Sequence, residues 1–245
     1  MKPARVRTLG KKKVSRSTRK EPAGAKTLRA TYEKKLIRLW KLYRKEAEDA
    51  LRTSPRAMAS FEPAPGISIS WLSDHLRDLR EQFHASGKTI IAEQMERSHF
   101  AGTAAGEKAL RKVGILVDVM NGPPDWRAID ALQVRNFSVL EGITAETNKQ
   151  IVSELTEGLN RGEGMEALAR RLRNKVDAIG IHRSRLMART ETMYAFNEGT
   201  KLRYKQHAIG KVEWLTAYDD RTCPDCSALN GKVFAIDDEI GRAHV

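Results

Sequence analysis

The chain reads as a mainly α protein, an elongated helical domain followed by a helical domain that ends in a small β-containing CxxC element (an α+β close). Three observations predict this. Of 245 residues, 31% are charged and only 6% aromatic, against 40% hydrophobic overall, a balance that suits long half-buried helices better than a compact β-fold. Apolar residues recur at spacings of three and four along most of the length. The stretches whose residues favour a strand lie near the carboxy-terminus. The length suggests one or two domains and is ample for a buried core.

Residues 1–26 are expected to form a disordered basic tail. The first twenty hold nine basic side chains and no acid, and no apolar periodicity accompanies them. Lys11, Lys12, Lys13, Arg16, Arg19 and Lys20 are the candidate nucleic-acid contacts. No apolar run follows the charges, so the segment is not a secretory signal. Its dense lysines and lack of amphipathicity argue against a transit peptide. The net charge of +13 implies an acidic partner, most simply nucleic acid. A basic protein with no such partner is the plainer alternative.

The first helical region is expected over 27–120. Leu28, Tyr32, Leu36, Leu39 and Tyr43 make one stripe, with lysines and arginines on the other faces. Pro55, Pro63, Pro65 and Gly66 mark 53–70 as a loop. Helix resumes at Trp71 with Leu72, Leu76, Leu79 and Phe83, with a bend at Gly87 before Ile91, Met95 and Leu110. The longest apolar stretch, Val113–Met120, is interrupted by Asp118, so no membrane span is expected.

Asn121-Gly-Pro-Pro124 is the strongest internal break and the candidate boundary to a second domain over 121–239. Trp126, Ile129, Phe137 and Leu140 follow, then Thr144 as the N-cap of a helix carrying Ile151 and Leu155. Asn160-Arg-Gly-Glu-Gly164 should end that helix, with Met165, Leu168, Leu172 and Val176 on the next. A long helix is expected from about His182 to His207. Lys211–Tyr218 reads as a strand, with Lys232–Ile236 as its short partner.

Chemistry concentrates after residue 181. Thr190, Tyr194, Asn197, Lys201 and Tyr204 share one helical stripe, and its mix of hydroxyl, amide and aromatic groups differs from plain core. It reads as a hydrogen-bonding platform for the Trp214–Cys226 segment, with a merely exposed polar helix as the alternative. Both cysteines of the chain lie in Cys223-Pro-Asp-Cys226. They would form half of a tetrahedral zinc site, a redox pair if the motif opened a helix, or two ordinary thiols. The Ser-Ala-Leu-Asn-Gly that follows is expected to break any helix there. With no other cysteines there is no disulfide framework, and a reducing cytoplasm is expected.

Asp219 and Asp220 suit a turn and ion pairs better than a hard cation. No nucleophilic triad and no Gly-rich phosphate loop is legible, and His75, His84, His99, His182 and His207 read as surface or packing residues. No catalytic residue is assigned.

Taken together, Ala188-Arg189-Thr190-Glu191-Thr192, Asn197-Glu-Gly199, Trp214-Leu-Thr216 and Asp219-Asp220-Arg221-Thr-Cys223-x-x-Cys226-x-x-Leu-x-Gly231 resemble the phage Mu F-like head morphogenesis family. The resemblance covers about 125–239 and is strongest from Ile181 onward. It implies a minor head protein of a tailed phage, in the virion or in the host cytoplasm during assembly, contacting portal and capsid proteins and packaged double-stranded DNA. It implies no enzymatic activity. Arg189, Glu191 and Asn197 would organise the Asp219–Thr222 loop. In the family pattern a later His-Pro-x-Cys-Arg element joins Cys223 and Cys226 in a Cys3His zinc site. That element does not occur in this sequence, so zinc is expected only of an intact protein.

Ile240-Gly-Arg-Ala-His-Val245 back-translates to ATC-GGA-AGA-GCA-CAC-GTC, one frame of a common sequencing adapter. Residues 240–245 are therefore expected to be non-native, and His244 is not counted as a ligand. Two other classes compete with the head-protein reading. One is a nucleotide-using transferase or toxin-associated domain, and the other a nucleic-acid-binding protein unrelated to virions.

Overall fold

The computed structural model describes residues 22–53, 69–115, 117, 125–214, 216 and 223–238. The expected tail contacts, the 53–70 loop apart from its ends, and the Asn121–Pro124 break lie outside them. The fold is mainly α, and two compact units divide it: Gly24–Tyr204, and a second whose described part is essentially 205–238. Among the described residues no helix is long and apolar enough to cross a membrane.

The larger unit is built from α1 (Ala23–Thr53), α2 (Ile69–Lys112), α3 (Trp126–Asn160), α4 (Met165–Lys175) and α5 (His182–Gln206). A six-residue π segment, Val176–Ile181, joins α4 to α5 without a break. The predicted stripe of α1 is its buried face, with Tyr32, Leu36, Leu39 and Tyr43 all in the core and Trp40 beside them. Side-chain contacts tie α1 to the three other long helices. Gln94 donates to the Leu28 carbonyl (3.2 Å), Tyr32 donates to Asn136 Oδ1 (2.9 Å), and Trp40 Nε1 donates to Ser184 Oγ (2.7 Å). Second contacts farther along α1, of Trp40 with Phe83, Tyr43 with Asn148 and Arg44 with Asp177 just before α5, fix the directions: α1 runs antiparallel to α2 and α5 and parallel to α3, an up-down-up-down bundle.

Two local expectations are corrected. Thr144 is not an N-cap: α3 runs unbroken from Trp126, capped by Asp125, whose Oδ1 accepts from the Ala128 amide at 3.1 Å. Thr144 is buried mid-helix, its hydroxyl bonded back to the Leu140 carbonyl (2.5 Å) and 2.8 Å from His84 Nε2. A threonine can satisfy its hydroxyl inside a helix this way. The second correction concerns Cys223-Pro-Asp-Cys226, which does open a helix, α6 (Pro224–Leu229). Proline at the first helical position costs no hydrogen bond, and Cys223 Sγ accepts the Cys226 amide at 3.2 Å as an N-cap.

Helix α2 runs unbroken through Gly87, where a methyl group would lie 2.5 Å from Leu140 Cδ2. Glycine at 87 admits a neighbour. At the α2–α5 crossing the approach is closer still. A Cβ on Gly102 would sit 1.8 Å from the Phe196 carbonyl oxygen, and one on Gly199 would sit 2.0 Å from that of His99. Thr200 Oγ1 donates to the Gly102 carbonyl (2.9 Å) at the same place.

In the smaller unit β1 (Lys211–Glu213) and β2 (Val233–Ala235) pair antiparallel, Val212 opposite Phe234. The strand expected over Lys211–Tyr218 ends at Glu213, but contact continues: the Trp214 amide donates to the Lys232 carbonyl (2.9 Å) and the Gly231 amide to the Trp214 carbonyl (2.8 Å). Gly231 holds φ +80°, a conformation open to glycine at little cost. It is the turn that brings Asn230 back to Thr216, whose amide and hydroxyl both donate to Asn230 Oδ1 (3.1 and 3.2 Å).

Candidate functional site

The residues singled out after position 181 divide between the two units. In the bundle, α5 presents Arg189 and Asn197 to solvent, leaves Thr190 half-buried and buries Glu191. Glu191 points inward to Arg135 of α3: the guanidinium Nε and Nη2 donate to its two oxygens at 3.0 and 3.3 Å. Tyr194, one turn on, lies under that guanidinium with its ring centroid 4.4 Å away. Hydrogen bonding to the carboxylate raises the Arg135 pKa further, so the guanidinium keeps its charge. Two charges and an aromatic face thus clamp α3 to α5.

Around the clamp lies a further polar layer. Asn136, adjacent in sequence to Arg135, accepts from Tyr32 and donates to Met95 Sδ (2.9 Å). Burial, with Glu191 nearby, pushes the Tyr32 hydroxyl far above its ordinary range, so it serves as a fixed donor. His99 is 1% exposed on α2, and neither ring nitrogen has a partner among the described residues. Burial lowers its pKa, with Asp125 and Glu198 opposing. It is a neutral packing histidine at the glycine crossing.

Sequence reasoning chose Glu191 but missed Arg135, because the partners stand 56 positions apart and no local pattern links them. The Asp219–Thr222 loop, with Asp219, Asp220 and Arg221, lies outside the described residues. In the smaller unit Trp214 is half-buried, and Thr216, never singled out except within its motif, is 5% exposed.

Cys223 and Cys226 form no disulfide and are both half-buried. Hydrogen bonding to Cys223 pushes the Cys226 thiol up. Two sulfurs at a helix start can serve as two zinc ligands, but a structural zinc takes four. Among the described residues no group of three or more His, Cys, Asp or Glu side chains converges. The described residues therefore supply half a site and do not by themselves fit the ion.

The arrangement defines a helical bundle with a polar clamp, joined in sequence to a small hairpin unit carrying a CxxC. Residues 149–245 match the family model for Phage Mu protein F like protein, the family that the motifs in this stretch resemble. The match takes in the end of α3, all of α4 and α5 and the hairpin unit, beginning later than the expected 125. Comparison with curated proteins and with solved structures returns no match.

Proposed function

We propose that this protein is a minor component of tailed-phage heads, working in head assembly and in DNA packaging or ejection through contacts with portal and capsid proteins and with DNA, and without catalysis. The observation that carries this reading is the Phage Mu protein F like match over 149–245. The charge supports it independently, since a net +13 favours a polyanionic partner. In this reading the side chains most suggestive of chemistry have structural work: Glu191 is engaged by Arg135, and His99 is buried as a neutral ring. Nothing in the proposal requires a metal. Cys223 and Cys226 are the two residues through which the smaller unit would take up zinc.

Lys11, Lys12, Lys13, Arg16, Arg19 and Lys20 are proposed to contact phosphates without reading sequence. Replacing all six with glutamine in the full chain should weaken binding to a random-sequence duplex and flatten its salt dependence. Six phosphate contacts correspond to a drop of about five in the slope of log affinity against log salt. Fluorescence anisotropy across a salt series reads this directly. A slope identical to that of the unaltered chain would remove the tail from the proposal.

A further inference from the structure

The outward face of α1 carries Lys34, Arg38, Lys41 and Lys45, spaced four, three and four residues apart and all exposed. The helical period places them on one stripe, opposite the core stripe of Leu36, Leu39 and Tyr43. None of the four forms an ion pair among the described residues. Several cations beside the stripe and at helix contacts behave differently. Lys35 pairs with Glu93, Arg44 with Asp177, Arg173 with Glu48, Arg171 with Glu154 and Glu163, and Arg203 with Glu107. Like charges three and four apart on a helix repel one another. α1 accepts that repulsion along its outer side while its flanking cations are neutralised.

We infer that this stripe is a second phosphate-binding surface, built into the folded bundle, on which the sugar–phosphate backbone of double-stranded DNA lies. The inference extends the DNA contact proposed for the tail but does not need the tail to be correct. The four cations span about 17 Å along the helix axis. A duplex presents one negative charge per about 1.7 Å with both strands counted, so the same length holds roughly ten phosphates, an excess over the four cations of the stripe. Leu42, 49% exposed, is the single large apolar side chain exposed on α1. A protein partner would be expected to meet an anchor of buried aromatic or aliphatic residues, and this face lacks one. Charge without anchors fits a uniform polyanion better than an acidic protein.

The test uses the full chain with Lys34, Arg38, Lys41 and Lys45 all changed to glutamine, which keeps helix propensity close to that of lysine. A control changes the exposed Lys108, Arg127, Lys149 and Arg170 to glutamine, an equal loss of charge. Anisotropy with a random-sequence duplex over a salt series should show the slope of log affinity falling by about three to four for the stripe variant and by less than one for the control. Circular dichroism should show unchanged helix in both. Equal losses in the two variants would reduce the effect to net charge and overturn the inference. So would an unchanged DNA slope accompanied by weakened binding to polyglutamate, which would assign the face to an acidic protein. Because the tail residues are intact in both variants, a tail that proves inert leaves this result interpretable.

Discussion

Gly102→Ala and Gly199→Ala are each expected to destabilise the bundle by about 3 kcal/mol or more, a large fraction of the stability of a typical domain. A methyl at either position collides with a backbone carbonyl, at 1.8 Å for Gly102 and 2.0 Å for Gly199. No rotamer change relieves a clash with main chain, so α2 and α5 would have to separate. Separation would strip cover from buried His99 and Phe196 and break the hydrogen bond from Thr200 to the Gly102 carbonyl. Gly142, exposed on α3 with nothing within 4 Å of an added Cβ, is the matched control. Alanine there should stabilise by about 0.5–1 kcal/mol through helix propensity and a less flexible unfolded chain. Urea denaturation of the three variants separates a crossing constraint from a general effect of removing glycine. Destabilisation of Gly102→Ala no larger than 1 kcal/mol would show that the helices do not meet there.

Trp40→Ala should cost about 3–5 kcal/mol. Trp40 is fully buried, with its ring 4.4 Å from that of Phe83 and 5.5 Å from that of Tyr43, centroid to centroid. Its far side packs on Gly180 of the π segment, where a Cβ would come within 2.7 Å of the indole. The indole N–H also satisfies buried Ser184. Truncation therefore opens a large cavity and leaves a hydroxyl without its donor. Trp40→Phe fills most of the space but not the hydrogen bond, and should cost less, about 1–3 kcal/mol. Thermal unfolding of both variants checks the order. Equal stability of the phenylalanine variant and the original chain would show that the bond to Ser184 contributes nothing.

These positions also show what a sequence can and cannot reveal. The core face of α1 was legible because Tyr32, Leu36, Leu39 and Tyr43 repeat at the helical period. The ends of α3 and α5 are legible from Asn160-Arg-Gly and from Gly210 with the strand-favouring residues after it. The π segment was not, since Val176 to Ile181 contains no signal of an inserted residue. Gly180 makes sense only once Trp40, far earlier in the chain, is seen against it. Thr144 misled because a capping residue type is also at home inside a helix when it can bond back to Leu140. The short helix at Cys223 escapes the sequence reading because Ser-Ala-Leu-Asn-Gly counts there as a breaker, whereas its first three residues continue a helix that proline opens at the first position. Of the candidate site, Glu191 stands out within its motif, but its contact with the distant Arg135 is tertiary and leaves no local trace.

The claim that these parts serve a phage head is tested most directly by quantitative mass spectrometry of purified heads from the phage encoding this chain. The account predicts its peptides in intact particles, at a few copies per head and retained after nuclease treatment and salt washing. Abundant protein in the lysate with none in washed heads would contradict it.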